Sequence, residues 1–251
     1  MNKQKIIVFD FDGVVCDSTD ECMVTSWNAW ERWQLRDNFR CTLSEFTEED
    51  KLSFRKVRPR VRGAGEYYIL RRAFSEGIEI TNQKIYDKLE GQWKENIEPF
   101  KVVFFEARER LRRDDVDSWI DLHPVFDGVI EVMKILNSQD RLYIATLKDS
   151  KSVKLILKKQ GLTIKKDRLF DQAQITSKLQ ALDKIKEQIG CDKKDMIFID
   201  DNVTHLLGPK NSEYTVYLTA WGEILDEYLY IAKVHNIQLL DNCIKLLKKK
   251  I

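Results

Sequence analysis

Apolar residues along this chain fall into two kinds of run. Ile6–Phe9, the segment 141–147 (RLYIATL), the segment 195–200 (DMIFID) and the segment 214–218 (YTVYL) are short, nearly continuous and end in polar or acidic residues. Runs this short with little alternation predict strands buried on both faces of a parallel sheet. Elsewhere apolar residues recur at spacings of three and four. Val129, Val132, Met133 and Leu136 predict a helix over 127–138, and Val153, Ile156 and Leu157 predict another over 150–160, stopped at Gly161. Leu179, Leu182, Ile185 and Ile189 predict a third, opened by Lys178 and stopped at Gly190. Strand and helix patterns alternate from 123 onward, as in a doubly wound parallel α/β sheet. Residues 18–122 differ: they show helical patterns, including a long helix near Asn82 to Arg113, and few strand signals. The expected organisation is a core of 1–17 and 123–251 interrupted by an α-helical insertion of 18–122, with hinges near Cys16–Thr19 and His123–Gly128.

The strand ends carry the candidate chemistry. Ile6–Phe9 runs into Asp10, Asp12 and Gly13. In extended or loop backbone, residues two apart can lean to one side, so the two carboxylates can converge beyond the strand's carboxyl end. Ligands of open α/β sheets bind there. Gly13 permits a tight turn and lets backbone N–H groups approach an anion. Asp and Gly are also ordinary turn residues, which is the plainer reading of this segment. Later strands end at Thr146, followed by Lys148, and at Asp200-Asp201. An acidic pair at a strand end can equally cap the helix that follows.

Together these segments resemble the motifs of the haloacid dehalogenase superfamily, in the order that family shows, and most closely its phosphatases and phosphomutases. The resemblance implies a Rossmann-like core with an inserted helical cap. It makes Asp10 the nucleophile and Asp12 the acid/base, roles that suit a carboxylate nucleophile and a group titrating near operating pH. Thr146 would hydrogen-bond the phosphoryl group. Lys178 would neutralise the nucleophile and phosphoryl oxygens, although Leu179 stands where relatives commonly carry proline. Mg²⁺ would be held by Asp10, the Asp12 backbone carbonyl and Asp201, with Asp200 bound through water or supporting from behind. Relatives often place another aspartate four residues after Asp201, and this chain has His205 there. Gly13 and Lys148 would contact substrate, although a solvated Lys148 is equally compatible with the sequence. Dehalogenases of the superfamily lack an acid at the position of Asp12, so dehalogenation is not expected.

In the insertion, 54–72 holds Arg55, Lys56, Arg58, Arg60, Arg62, Arg71 and Arg72 against the single acid Glu66, with Pro59, Gly63 and Gly65 breaking the helical pattern. Arginines grip carboxylate or phosphate bidentately. At least one of Arg58, Arg60 and Arg62 is therefore expected to face the cleft, with Arg58 and Arg62 as candidate substrate contacts on a cap loop, and the plainer reading is a solvated basic face. Trp27, Trp30, Trp33, Phe39, Trp93 and Phe100 are expected to form the cap's own core, with a stacking site for a base as the alternative. Trp221-Gly222 resembles the aromatic-glycine turn that relatives carry after the strand near 218.

Composition narrows the classes. With 42 Lys and Arg against 41 Asp and Glu, the net charge of +1 provides no overall attraction to nucleic acid or membrane. No stretch approaches the roughly 20 apolar residues that span a bilayer, and the polar start at 1–5 gives no leader signal. The five cysteines lack metal-site spacing, which fits reduced thiols in a cytoplasmic protein. There is no internal repeat, and the basic run 248–250 is expected to be solvated. The expectation is a cytoplasmic, Mg²⁺-dependent phosphatase, monomer or homodimer, acting on a small phosphorylated metabolite through an aspartyl-phosphate. Alternatives on the same machinery are a sugar-phosphate mutase, a phosphonatase using a cap lysine (Lys51 or Lys56), or an inactive binding protein.

Overall fold

The computed structural model describes residues 4–222 and 224–248; the basic residues 249–250 lie outside them. The chain divides into two compact units, 1–17 with 124–251, and 18–123.

The first unit is built on a six-stranded parallel sheet in the order β3-β2-β1-β4-β5-β6. Its strands are β1 (Ile6–Phe9), β2 (Leu142–Ala145), β3 (Leu169–Phe170), β4 (Met196–Asp200), β5 (Thr215–Thr219) and β6 (Gln238–Leu240). Around it lie α6 (Val129–Ser138), α7 (Ser150–Lys159), α8 (Lys178–Ile189), α9 (Val203–Asn211), α10 (Asp226–Val234) and α11 (Lys245–Lys248). β1 pairs with β2, Phe9 opposite Ile144, and with β4, Phe9 opposite Ile199. Every residue of β2 and β4 is buried, which is why their sequence runs show no alternation. Val8, Tyr143, Phe198, Val216 and Leu218 form one core with Ala181, Leu182 and Ile185 of α8, Leu206 of α9 and Tyr228 of α10. From β1 the chain moves outward to β2 and β3, then returns to β4 and moves outward the other way. The order therefore reverses between β1 and β4, and a crevice opens at their carboxyl ends. Two strands escaped sequence reading: β3 and β6 are only two and three residues long, too short for a periodic signal.

The second unit contains α1 (Thr19–Trp33), α2 (Glu48–Val57), α3 (Tyr67–Ser75), α4 (Gln83–Asp114) and α5 (Val116–Asp121), with no strand among its described residues. α1 and α3 both pack on α4. α4 departs from helical backbone at Trp93 and carries Pro99. Trp30, Trp33, Tyr68, Trp93 and Phe100 meet edge-on or tilted, and Tyr67 stacks between Phe54 and Phe104 with centroids 6.1 and 5.0 Å away. Gly65 lies so close to α4 that a Cβ would sit 2.3 Å from the Ile97 carbonyl oxygen. The solvated-face reading of the basic segment fails for two of its arginines: Arg60 and Arg71 are buried, because each packs its guanidinium onto main-chain carbonyls of its own unit. No helix of the described residues is long and apolar enough to cross a membrane.

Candidate active site

Asp10 is the first residue beyond β1, and its N–H continues the ladder to the Ile199 carbonyl at 2.9 Å. Asp200 is the last residue of β4 and is fully buried. Neighbouring parallel strands thus bring two acids far apart in sequence to the same sheet edge. Between them reaches Lys178, the first residue of α8, a helix capped by the Ser177 side chain. The Lys178 Nζ lies 2.6 Å from Asp10 Oδ1 and 3.5 Å from Asp200 Oδ2, and donates to the Ala145 carbonyl at 2.9 Å. One buried ammonium therefore serves two buried carboxylates.

The electrostatics follow from that shortage. Burial pushes the Asp10 carboxyl up; Lys178 opposes this, Asp200 adds to it and His205 opposes it, leaving the group at about 6. Burial also works against the Asp200 charge, but the neighbouring His205 and Lys178 side chains and a hydrogen bond from the Asn202 N–H hold it at about 2. Burial alone would lower Lys178, yet Asp10 and Asp200 keep it above the usual lysine range. His205, on the first turn of α9, places Nδ1 3.2 Å from each Asp200 oxygen. The sequence offered His205 only as a departure from the relatives; its signal was its position one helical turn beyond a strand-end acid. Asp10, Asp200 and His205 each offer a ligand atom within 4.8 Å of the others, a donor set able to hold a divalent cation.

The loop after β1 is tightly made. Gly13 has φ +79°, its N–H bonds the Cys16 carbonyl at 2.8 Å, and a Cβ on it would lie 1.9 Å from Asp201 Oδ2. Only glycine leaves room for the Asp201 carboxylate. Trp221 donates from Nε1 to the Val14 carbonyl at 3.0 Å, and a Cβ on Gly222 would come within 2.9 Å of the Gly13 oxygen, so the Trp-Gly turn braces this loop.

Lys148 is buried, not solvated, with Nζ 3.1 Å from Asp12 Oδ1. Thr146, also buried, donates its N–H to the Phe170 carbonyl and accepts the Lys148 N–H on Oγ1 at 3.1 Å, which holds the loop carrying that lysine. Arg58 and Arg62 belong to the helical unit. There Arg62 is tied to Glu66 at 3.3 Å and to Glu90, and Arg58 donates to Ser18 Oγ at 3.4 Å.

Residues 4–212 match the family model of the haloacid dehalogenase-like hydrolases, and the chain belongs to that family. Solved structures of similar fold include a predicted phosphoglycolate phosphatase from Haemophilus somnus 129pt (17% identity, 99% of this chain and 98% of that one, TM-score 0.64). A predicted phosphatase from Clostridium acetobutylicum (15%, 98% of each chain, TM-score 0.64) and a hydrolase from Pseudomonas syringae (16%, 98% and 97%, TM-score 0.60) are also similar. At such identities the likeness establishes the fold. No curated protein matches the chain in sequence.

Proposed function

We propose that this hydrolase is a cytoplasmic, Mg²⁺-dependent phosphatase that cleaves a small phosphorylated metabolite through an aspartyl-phosphate on Asp10. The observation that carries the reading is the buried Asp10–Lys178–Asp200 group, with the Asp12–Lys148 pair formed from the same strand ends. Lys178 fixes the Asp10 carboxylate and supplies positive charge where a phosphoryl group would arrive. Asp10 attacks phosphorus; the new O–P bond forms as the ester P–O bond breaks, and Asp12 gives its proton to the departing alkoxide. Asp12 then takes a proton from water as that water attacks the aspartyl-phosphate, releasing inorganic phosphate and restoring Asp10. Lys148 and Thr146 hold Asp12 and the adjoining loop in place and supply donors at the strand ends. Asp10, Asp200 and Asp201 would hold Mg²⁺, with His205 orienting Asp200; the ion would neutralise phosphoryl charge.

The test is phosphate release over a panel of phosphorylated metabolites, including phosphoglycolate, sugar phosphates and nucleoside monophosphates, with and without Mg²⁺. Asp10→Asn should lower turnover at least 1000-fold and abolish the acyl-phosphate trapped by acid quench. A fully active Asp10→Asn enzyme would refute the mechanism. An isomeric product with little free phosphate would instead make the protein a mutase.

A further inference from the structure

Arg71 is a buried residue of the basic segment that the proposed chemistry does not use. It sits on α3, is only 6% exposed, and spends its donors on neutral groups: Nε on Ser26 Oγ at 3.0 Å and Nη2 on the Met23 carbonyl at 2.5 Å. No carboxylate among the described residues pairs with it. Burial pulls its guanidinium down to about 9, an effect that the more distant Asp50 and Glu31 only partly offset. A buried cation without a counter-charge is unfavourable, and an anion delivered to it relieves that cost.

Arg71 forms part of the wall of a groove of about 720 Å³ made wholly by the helical unit, beside Trp27, Trp30, Phe46 and Phe74. That volume lies within the range of small-molecule sites, which combine apolar walls with a few placed polar groups. Of the four acids on the same wall, Glu31, Glu49, Asp50 and Glu79, two are paired with cations. Glu31 is held by Arg36, with Nε 3.1 and 3.0 Å from its two oxygens, and Glu79 faces Lys56 at 3.3 Å. Asp50 accepts the Thr47 N–H and hydroxyl at 3.1 and 2.8 Å. Arg40 covers one part of the aromatic wall, lying 3.9 Å from the Trp27 ring and 4.4 Å from Phe46.

We infer that the helical unit binds a small organic anion in this groove, its carboxylate or similar head on Arg71 and its apolar body against Trp27, Trp30, Phe46 and Phe74. The charge complementarity rests on Arg71, and the aromatic wall sets the preference for an apolar body.

The probe is 2-naphthoate against its uncharged counterpart 2-naphthylmethanol, each titrated calorimetrically into the full chain. Naphthoate should bind at least tenfold more tightly, with one site per chain. Arg71→Met should remove that difference, and Asp10→Asn should keep it. Equal affinity for the two probes, a preference that survives Arg71→Met, or a preference lost in Asp10→Asn would each overturn the inference. Because Arg71→Met can fail to fold, Trp27→Ala serves as the second variant: it should weaken naphthoate at least fivefold, and unchanged affinity would overturn the assignment.

Discussion

At the scale of residues, Asp10 and Asp200 show how one environment separates two identical side chains. Both are buried and both face Lys178, but Asp200 also has His205 Nδ1 at 3.2 Å and accepts the Asn202 N–H at 2.9 Å. Asp10 therefore stands at about 6 and Asp200 at about 2, on either side of the ordinary 3.8. The sign of each follows from linkage. With a raised folded value, Asp10 contributes stability that is full below 3.8 and lost as pH rises through about 6. Asp200, with a depressed value, contributes stability above 3.8 that disappears as pH falls through about 2. A cation bound at Asp10 must displace the proton held there below pH 6. Mg²⁺ affinity should thus rise about tenfold per pH unit up to about pH 6 and level off above it, with close to one proton released per ion at pH 5. Calorimetry in buffers of different ionisation enthalpy checks both numbers. A flat affinity between pH 4.5 and 7 would show that Asp10 is not a ligand.

At the scale of elements, α1 and α4 are joined by a buried ion pair as well as by apolar packing. Arg108 donates Nε and Nη2 to the two oxygens of Glu21, each at 2.8 Å, and Thr25 adds its hydroxyl at 2.6 Å. Glu21 is fully buried and Arg108 nearly so. Removing one partner strands the other charge in the core, whereas removing both strands neither charge and leaves the Thr25 hydroxyl and Trp119 indole without their acceptor. Arg108→Met should cost about 3–5 kcal/mol by urea unfolding. The double variant with Glu21→Leu should recover most of that loss, and equal losses in the single and double variants would count against the pair as the cause. Sequence patterning placed α4 as the long helix near Asn82 to Arg113 and gave only a general helical pattern for the stretch that holds α1. It gave no hint of this pair, whose partners lie 87 residues apart.

At the scale of the whole molecule, the helical unit is an insertion whose two ends meet. His123 Nε2 lies 3.7 Å from Glu21 Oε2, so the last residue of that unit sits beside its first turn of helix. In the sheet unit, the Asp17 N–H bonds the Pro124 carbonyl at 2.9 Å and the Phe126 N–H bonds the Val15 carbonyl at 3.0 Å. The chain therefore leaves and re-enters the core at adjacent points, which is the geometry that tolerates insertion. The helical unit has its own buried core of Tyr86, Phe54, Phe100 and Phe104. Residues 18–123 expressed alone should show a helical circular-dichroism spectrum and a cooperative thermal transition. A random-coil spectrum would mean that its core needs the sheet unit to form.

The sequence determined the strands and helices with long local signals, namely β1, β2, β4, β5 and the amphipathic helices, because burial on both faces of a parallel strand and the helical period are written in consecutive residues. It also put acids, Thr146 and Lys178 at the ends of those elements, where an open α/β sheet binds ligands. Tertiary structure alone decided which of them meet. The pairing of β1 with β4 and the start of α8 beneath them bring Asp10, Lys178 and Asp200 into contact, and one turn of α9 adds His205. The same holds for Arg71 and Arg60: as letters they belong to a basic run, and only packing turned them inward. Charge and polarity are properties of single residues, but burial and partnership are set by the rest of the chain.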